Sequence, residues 1–563
     1  MSLVIFNKEN GIENNTALAQ THGEPEGVLI NACCLLFVQF FAALYSSVDS
    51  ANVLFLLPVP SASHRLWNNV LIEGLAKRGH NLTVLSTDFE RSRPNVTFIY
   101  MENVYESLSE FYLRTPWSLT PKYTVTVIKE HHQLNNFVSR KLFETKGLRQ
   151  LANYPKAFRF DAVVFDFTLG QSLLAFVEHF NFPPLISVSP HSLPSSLATA
   201  SVAQVFPSFV PHFASTSTPA TLREKMSERF MNMIYHTFDW FYRKYVFMKN
   251  ENSRVGKVFV ENKSKLERLE YSDLVLINHD CAFDDVLALP PNVISVGALQ
   301  VTRANEIPND DVFTFIESSL KPVILFTLGS NILVNDLGWG RISEIMNAFR
   351  DLNEFNFVCK CDAKFIRKKP QNVLFVDWMQ QNELLANAKV KLVVSHGGLL
   401  TIQEAIWHQK LVLGIPMNVD QRKNIQKAVD LGFAEVIDVK NFTSADIIVK
   451  IRMLIENPIY LSSVGQVSKL MRSSPLGPAE RAMFWIEQVL EHGGLDHLKT
   501  EARRLSFYQL YMVDVASLIG IIILIYILIM QYHFIKEWIL KRERKRRDDE
   551  DKAKNEADKL KSE

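Results

Sequence analysis

The feature that most constrains the fold is a repeated alternation of short apolar runs with amphipathic segments. The run ANVLFLLPVP, which starts at Ala51, is apolar up to its prolines, as in a strand that is buried on both faces. The segment LWNNVLIEGLAKRGH follows with helical spacing of its apolar residues and a C-cap glycine at Gly79. NLTVLST then supplies another strand. Because a strand, a helix and a strand in this order form a parallel crossover unit, the sequence predicts an α/β fold.

The alternation occurs in two series, which predicts two doubly wound domains. The segment LPPNVISVGALQV and the polar stretch TRANEIPNDD after it are typical of an interdomain linker. The apolar runs of the second series are PVILFTLGS, FNFVCKC, NVLFVDWM, VKLVVSHGG and KLVLGIP. We therefore predict domains over residues 51–295 and 304–500, with ligands at the carboxyl ends of their strands, in the cleft between them. Residues 193–265 interrupt the first series and are interpreted as a lid or a membrane-facing insertion.

Length and charge agree with this organisation and exclude some partners. A chain of 563 residues is too long for one ordinary core. With 61 basic and 60 acidic side chains the net charge is +1, so no overall field favours binding to nucleic acid. The five cysteines are too few and too unevenly placed for a disulfide framework, and the absence of a CxxC pair argues against structural zinc. Cys359 and Cys361 are interpreted as small apolar residues on one face of a strand.

Two long apolar runs predict how the chain meets a membrane. VLINACCLLFVQFFAALY resembles a secretory signal, so residues 1–50 are interpreted as a leader and a cleaved signal; an internal start of translation or an uncleaved anchor are the alternatives. VASLIGIIILIYILIMQY predicts a transmembrane helix over residues 513–535, because a buried helix of this length would carry a polar face. The basic residues 536–563 after it are predicted to be a cytosolic tail, which places the preceding domains in the lumen.

The chain end and the sequons indicate a compartment. The last five residues, KLKSE, resemble the K-x-K-x-x retrieval signal of endoplasmic-reticulum membrane proteins. Sequons occur at Asn81, Asn95, Asn262 and Asn441, within the part that is predicted to be luminal. We therefore predict a single-pass type I protein of the endoplasmic-reticulum membrane that carries N-linked glycans.

The most specific motif is FVDWMQQNELLANAKVKLVVSHGGLLTIQEAIWHQKLVLGIPMNVDQRKNIQKAVDLG, over residues 375–432. It resembles the UDP-glycosyltransferase family, in particular membrane-bound insect members, and the resemblance extends from Ala51 to the tail. The resemblance implies the GT-B fold, in which two Rossmann-like domains face each other across a cleft and bind the acceptor and the UDP-sugar respectively. The sequence departs from the family at backbone-shaping positions: Gln380 replaces a proline, and Gln409 and Leu411 replace a glycine and a proline.

Residue chemistry and the resemblance together predict a donor site. An indole such as that of Trp378 offers a flat face to uracil, and His396 with two glycines opens a helix whose amides can meet a pyrophosphate. Glu404, one turn into that helix, can accept hydrogen bonds from ribose hydroxyls, while the resemblance implies that Asp420 and Gln421 hold the transferred sugar. The predicted donor-binding residues are Gly329, Ser330, Trp378, Met379, Gln381, His396, Gly398, Thr401, Glu404, Asp420, Gln421 and Asn424.

The resemblance also implies the catalytic pair. His64 follows the first strand, and a histidine there can act as the general base toward an acceptor hydroxyl. Asp166 ends the strand DAVVFD and matches the family's partner, which orients the imidazole and stabilises its protonated form. His80, which follows Gly79, is interpreted as a structural histidine.

The predicted reaction uses no cofactor and no metal, because no Asp-x-Asp motif follows a strand; helix ends and His396 are expected to compensate the charge of UDP. Invertebrate members of the family mostly use UDP-glucose, which is the preferred donor. The acceptor is predicted to be a small lipophilic compound with a hydroxyl group, as in detoxification. A glycolipid-forming transferase and a UDP-sugar-binding or lipophile-binding pseudoenzyme are the alternatives. Further predicted partners are membrane lipid and a second copy of the chain.

Overall fold

The structure is a computed structural model that describes residues 50–114, 123–155, 157–203, 205–301, 311–330, 334–417 and 419–562. The predicted leader and signal, at residues 1–50, fall outside these ranges except for Ser50, and so do residues 302–310 of the predicted linker. The first part of that linker is described and contains a strand, Val293–Ser295. The rest of the chain contains two parallel sheets, which we call the first and the second sheet.

The first sheet has seven parallel strands in the order β3-β2-β1-β4-β5-β6-β7. Its central strands are almost fully buried, because helices cover both faces of a parallel sheet and the strands contain runs of Val, Leu, Ile and Phe. The strands are β1 Asn52–Leu57, β2 Asn81–Ser86, β3 Val96–Tyr100, β4 Ala162–Asp166, β5 Leu185–Ser189, β6 Leu274–Ile277 and β7 Val293–Ser295.

The second sheet has six parallel strands in the order β10-β9-β8-β11-β12-β13. Its strands pack into a separate apolar core with the helices of the second series. The strands are β8 Val323–Thr327, β9 Asn356–Lys360, β10 Val373–Val376, β11 Val390–Ser395, β12 Leu411–Gly414 and β13 Ala434–Val436.

Helices connect the strands and cover the sheets, as parallel crossovers require. Those before β8 are α1 Ala62–Lys77, α2 Val104–Arg114, α3 Thr124–Glu144, α4 Lys146–Ala152, α5 Ala175–His179, α6 Ser195–Ala200, α7 Pro219–Glu224, α8 Met226–Tyr242, α9 Met248–Val258, α10 Leu266–Leu269 and α11 Asp311–Ser318. Those after β8 are α12 Trp339–Asp351, α13 Gln381–Ala386, α14 Leu399–Trp407, α15 Val419–Asp430, α16 Ser444–Glu456, α17 Pro458–Met471, α18 Pro478–His492, α19 Phe507–Leu510 and α20 Val513–Ser562.

Each sheet has one point at which the strand order reverses. In the first sheet it lies between β1 and β4, and in the second sheet between β8 and β11. The loops that leave two such strands at their carboxyl ends run to opposite sides, which opens a crevice where ligands of open α/β sheets bind. The fold therefore offers two crevices, and the predicted site residues that follow β1, β4, β8 and β11 belong to them.

The helix α18 returns to the first sheet after the second sheet is complete. It packs on α1, where Gly74 leaves room for the side chain of Met483. Arg78 at the end of α1 forms ion pairs with Glu480 at 2.8 Å and with Glu487 at 2.9 Å. The last helix within the predicted range 304–500 therefore packs against the first half of the protein.

The C-terminal helix α20 is fully exposed along its 50 residues. Within the described residues it is the one helix that is long and apolar enough to cross a membrane by length and composition, with a mean hydropathy of 2.7 in its most apolar window. The predicted transmembrane segment 513–535 and most of the predicted tail 536–563 lie in this single helix.

The segment that interrupts the first series is helical. Helices α6 to α9 lie between β5 and β6, so the predicted insertion at residues 193–265 is a group of helices added to the crossover. Met226, Phe230, Ile234 and Phe241 form an exposed apolar stripe on α8. Its role as a lid or as a membrane-facing surface stays a prediction.

Candidate functional site

The predicted catalytic pair meets at the crevice of the first sheet. His64 lies in the first turn of α1, directly after β1, and Asp166 is the last residue of β4. Because β1 and β4 are neighbours, their carboxyl ends bring the two side chains together, with His64 Nδ1 2.8 Å from Asp166 Oδ2. His64 is 6% exposed and Asp166 is fully buried.

Asp166 is held as a carboxylate by its neighbours. Burial alone raises the pKa of Asp166, but the charge of His64 and the hydrogen bonds from His64 and Thr168 outweigh burial, so the net pKa lies below the usual value. Asn68 Nδ2 donates to Oδ2 at 3.0 Å, and the Thr168 amide donates to Oδ1 at 3.2 Å. A carboxylate at Nδ1 favours the imidazole tautomer in which Nε2 is the nitrogen that can accept a proton.

His191, which the sequence analysis did not identify, lies beside the pair formed by His64 and Asp166. Its ring lies edge to face against that of His64, with 5.2 Å between the ring centroids. His191 follows β5, which is the neighbour of β4 on the side away from β1. The signal was available in the sequence, because a polar residue directly after a buried parallel strand lies at the same edge as Asp166.

The predicted uracil platform lies at the carboxyl edge of the second sheet. Trp378 follows β10 and its side chain is 47% exposed, so a face of the indole is available for stacking. Met379 is buried beside it. Gln381 opens α13 and donates through Nε2 to Glu404 at 2.6 Å and to Thr401 at 3.1 Å. The structure thus joins the predicted ribose residues Gln381 and Glu404 and the predicted phosphate residue Thr401 in one hydrogen-bond network.

The carboxyl group of Glu404 is buried and lies among uncharged hydrogen-bond donors. It is 7% exposed, and burial raises its pKa to about 7, although hydrogen bonds from Gln381 and Gln300 act in the opposite direction. A buried carboxylate without a cation is costly unless hydrogen-bond donors satisfy it. The two hydroxyls of a ribose are donors of this kind, which fits the predicted role of Glu404.

The predicted phosphate-binding turns meet at the ring of His396. This residue follows β11, and Gly329 follows the neighbouring strand β8. A Cβ on Gly329 would lie 2.6 Å from His396 Cε1, and a Cβ on Gly398 would lie 2.7 Å from His396 Nε2, so only glycine fits at either position. Ser330 is exposed directly after Gly329. Gly398 caps α14, whose first amides point out of this turn.

His396 is uncharged at neutral pH. Burial, with a smaller effect from the nearby Lys360 ammonium, lowers its pKa to about 4. An uncharged ring can still form a hydrogen bond with a diphosphate, and the role of His396 in compensating the charge of UDP stays a prediction.

The predicted sugar-binding residues lie at the start of α15, next to the phosphate turn. Asn424 Nδ2 donates to the Gly397 carbonyl at 3.0 Å, and Gln421 Oε1 accepts from the Met417 amide at 3.0 Å. Asp420 is exposed in the first turn of the helix. These contacts fix the helix against the turn that holds His396.

Contacts between the two halves reach both edges of the donor region. Gln300 Nε2 donates to the Leu400 carbonyl at 3.2 Å, beside Thr401. Lys423 Nζ donates to the His212 carbonyl at 2.6 Å and to the Phe213 carbonyl at 3.4 Å, in the helical insertion of the first half. The first contact joins α14, and the second joins α15, to the half that carries His64. Both helices carry predicted donor residues.

Lys360 is a residue of this region that the sequence analysis missed. It ends β9, between the strands that precede Gly329 and Trp378. Its Nζ donates to the Gly329 carbonyl at 3.2 Å and lies 4.1 Å from the centroid of the Trp378 ring. No motif marks a lysine at a strand end, so strand order was needed to find it.

Comparisons with known proteins agree with this geometry. The family model described as "UDP-glucoronosyl and UDP-glucosyl transferase" matches residues 52–546. Among curated relatives, UDP-glycosyltransferase UGT5 of Dactylopius coccus is 26% identical over 506 residues, which cover 88% of this chain and 94% of the relative. UDP-glucuronosyltransferase 2B7 of Homo sapiens is 28% identical over 493 residues, with 84% and 90% covered.

Solved structures share the fold. The calicheamicin glycosyltransferase CalG4 superposes with a TM-score of 0.52 at 16% identity, and covers 79% of this chain and 99% of its own. The glycosyltransferase VinC, solved in complex with DTDP, gives a TM-score of 0.51 at 16% identity, with 78% and 99% covered. With the two parallel sheets, these likenesses confirm the predicted GT-B class of two Rossmann-like domains.

Proposed function

We propose, from the premise that the chain belongs to the UDP-glucuronosyl and UDP-glucosyl transferase family, that it glycosylates a small lipophilic hydroxyl compound with inversion, using His64 as the general base. Transfer of a sugar from a UDP-sugar follows from the family. The observation that carries the finer proposal is the contact of 2.8 Å between His64 Nδ1 and the buried Asp166 carboxylate.

In the proposed step the acceptor attacks the anomeric carbon directly. The acceptor hydroxyl gives its proton to His64 Nε2 while its oxygen forms a bond to the anomeric carbon. The bond from that carbon to the diphosphate oxygen breaks, and its electron pair leaves with UDP. Attack from the face opposite UDP inverts an α-linked donor to a β-glycoside, so no nucleophile of the enzyme takes part. Asp166 orients the imidazole and stabilises it when it is protonated.

Glucose is the proposed sugar. Relatives of this chain are named as glucosyltransferases and as glucuronosyltransferases, so the family alone does not choose. A glucuronate would favour a cation near the sugar-binding residues, and two cations, Arg422 and Lys423, lie within three residues of Asp420. Lys423 donates to two carbonyl oxygens of the insertion, so its ammonium is engaged there, which favours a neutral sugar. Arg422 is the cation that would receive a glucuronate if UDP-glucuronate proved the better donor.

The proposed setting is the membrane of the endoplasmic reticulum, with both sheets in the lumen. The exposed apolar helix α20 supports a membrane anchor, and the terminal KLKSE supports retrieval to this compartment. Asn81, Asn95 and Asn441 are exposed and open to glycosylation, whereas Asn262 is half-buried and donates to the Ala175 carbonyl. Protease protection of sealed microsomes tests the topology: only the tail should be digested.

The test of the proposed reaction uses microsomes that carry the full chain. We expect product with UDP-glucose in excess over UDP-glucuronate and UDP-N-acetylglucosamine, on a panel of phenols, steroids and ceramide, identified by mass. A ceramide product alone would favour the glycolipid alternative. Activity is expected to survive a metal chelator, since the proposed step uses side chains and helix ends alone; loss that Mg²⁺ restores would contradict metal independence.

The base is tested by His64→Ala, with His497→Ala, an exposed histidine in a C-terminal turn, as its matched control. We expect His64→Ala to lose transfer and to keep UDP binding. Full activity of this variant would reject the proposed base. Wild-type protein that binds UDP but transfers to no acceptor of the panel would favour the pseudoenzyme.

A further inference from the structure

Lys360 places a positive charge between two predicted donor-binding turns. Its ammonium donates to the carbonyl of Gly329, in the turn after β8, at 3.2 Å. The same ammonium lies over the Trp378 indole, 4.1 Å from the ring centroid. The side chain of Lys360 thus contacts both Gly329, a predicted phosphate-binding residue, and Trp378, the predicted uracil-stacking residue.

No ion pair balances the charge of Lys360 within the part of the chain that the structure describes. The side chain is half-buried, burial lowers its pKa, and no carboxylate of the described residues opposes this shift. A partly buried ammonium without an anion is unfavourable, since it has lost water and gained only a carbonyl and a ring face. An anionic ligand at this position would remove that cost.

The proposed reaction needs such a charge. When the sugar leaves, negative charge grows on the diphosphate of UDP, and preorganised positive groups lower the energy of that state. His396 is neutral at pH 7, so it contributes no full charge. The amides at the start of α14 contribute only the partial charge of a helix end.

We propose that Lys360 binds the diphosphate of the donor and neutralises the charge that develops on UDP during transfer. This inference rests on the donor site of the proposed function. As the bond between the anomeric carbon and the diphosphate oxygen breaks, its electron pair stays on that oxygen next to the ammonium. The proton of the acceptor goes to His64, and Lys360 keeps its own protons throughout. The ammonium covers one face of Trp378, which assigns uracil to the opposite face.

The test compares UDP with uridine, which shares the base and ribose but carries no phosphate. Titration of full-length protein in detergent micelles measures both affinities for the wild type, Lys360→Met, Lys360→Arg and the control Lys364→Met, an exposed lysine in the next turn. For Lys360→Met we expect UDP affinity to fall about 10- to 100-fold, the worth of a charge-assisted hydrogen bond. Uridine affinity should stay unchanged. Lys360→Arg should restore most UDP affinity, and Lys364→Met should change neither.

Two other results for Lys360→Met would contradict a contact between Lys360 and the diphosphate. Equal losses for UDP and uridine would show that Lys360 only supports Trp378, and unchanged UDP affinity would exclude contact with the diphosphate. The kcat for UDP-glucose should fall further than UDP affinity, because charge on the diphosphate is greatest in the transition state. Wild-type protein that binds neither ligand would reject the donor site itself. If Lys360→Met does not fold, Lys360→Gln replaces it, since it removes the charge and keeps a polar donor at this position.

Discussion

Replacement of Asp166 by asparagine is the sharpest test of the catalytic pair, because it removes a charge and leaves the volume. Oδ2 of Asp166 accepts from His64 Nδ1 and Asn68 Nδ2, and Oδ1 accepts from the Thr168 amide. An asparagine has a single oxygen, so its NH₂ group must face one of these donors. If it faces His64, the ring is forced to carry its proton on Nε2, where it can no longer act as a base.

The expected loss follows from the lost attraction between the carboxylate and the protonated ring. Two unit charges about 4 Å apart, at an effective dielectric constant of about 20, attract each other by about 4 kcal/mol. Because about 1.4 kcal/mol corresponds to a tenfold change in rate, kcat should fall about 1000-fold. An inverted tautomer in part of the molecules would add to this loss.

The assay is the initial rate of glucoside formation with saturating UDP-glucose, together with the affinity for UDP. Asp166→Asn should lose rate and keep UDP affinity, because Asp166 lies in the half opposite the donor residues. Asp351→Asn, an exposed aspartate at the end of α12, is the matched control and should keep both. A rate within about tenfold of the wild type in folded Asp166→Asn protein would refute the reasoning, since it would leave less than about 1.4 kcal/mol for the carboxylate.

Three further predictions concern the donor region. Glu404 has a pKa of about 7 and is expected to bind ribose best when ionised, so the affinity for uridine, which has no phosphate to titrate, should rise from pH 6 to pH 8 in the wild type and stay flat in Glu404→Gln; equal slopes would contradict this role. Trp378→Ala should weaken uridine binding by about 5- to 150-fold, as loss of a stacked base does, whereas unchanged binding would exclude stacking. Gly398→Ala would force a Cβ against the His396 ring and should lower UDP affinity at least about fivefold, while Gly340→Ala, which meets open space, should not; equal effects would disprove the steric argument.

The strand pattern predicted the fold and, together with the family resemblance, the proximity of His64 and Asp166, whose catalytic role stays a prediction. Apolar runs marked the buried strands, and β-α alternation implied that their carboxyl ends share an edge. His64 and Asp166 follow strands that proved to be neighbours, which explains their 2.8 Å contact across 102 residues of sequence. The glycines beside His396 were likewise predictable, because glycine after a buried strand indicates a close approach of backbone to another group.

Lys360 was missed because its position depends on which strands are adjacent, whereas the signal for His191, a polar residue shortly after a buried strand, was present in the sequence and was not used. A lysine at the end of a strand is ordinarily a solvated residue, and it becomes part of a site only because β9 lies between β8 and β10. The neutrality of His396 was also hidden, since it depends on burial and on a neighbouring ammonium that no local pattern displays. Local patterns thus predicted which residues point at the crevices, and packing determined their charge states.

The charge states of the second half suggest which part of the donor supplies the binding energy. Within the described ranges, Glu404 is a buried carboxyl that no cation neutralises, and Lys360 is a half-buried ammonium that no carboxylate neutralises. The ribose hydroxyls would satisfy the first and the diphosphate the second, so UDP relieves two unfavourable burials at once. The transferred sugar relieves neither of these two burials. Its predicted contacts lie on α15, a separate element that Asn424 and Lys423 fasten to the phosphate turn and to the insertion. We therefore predict that affinity for UDP and the choice of sugar depend on different elements of the second half.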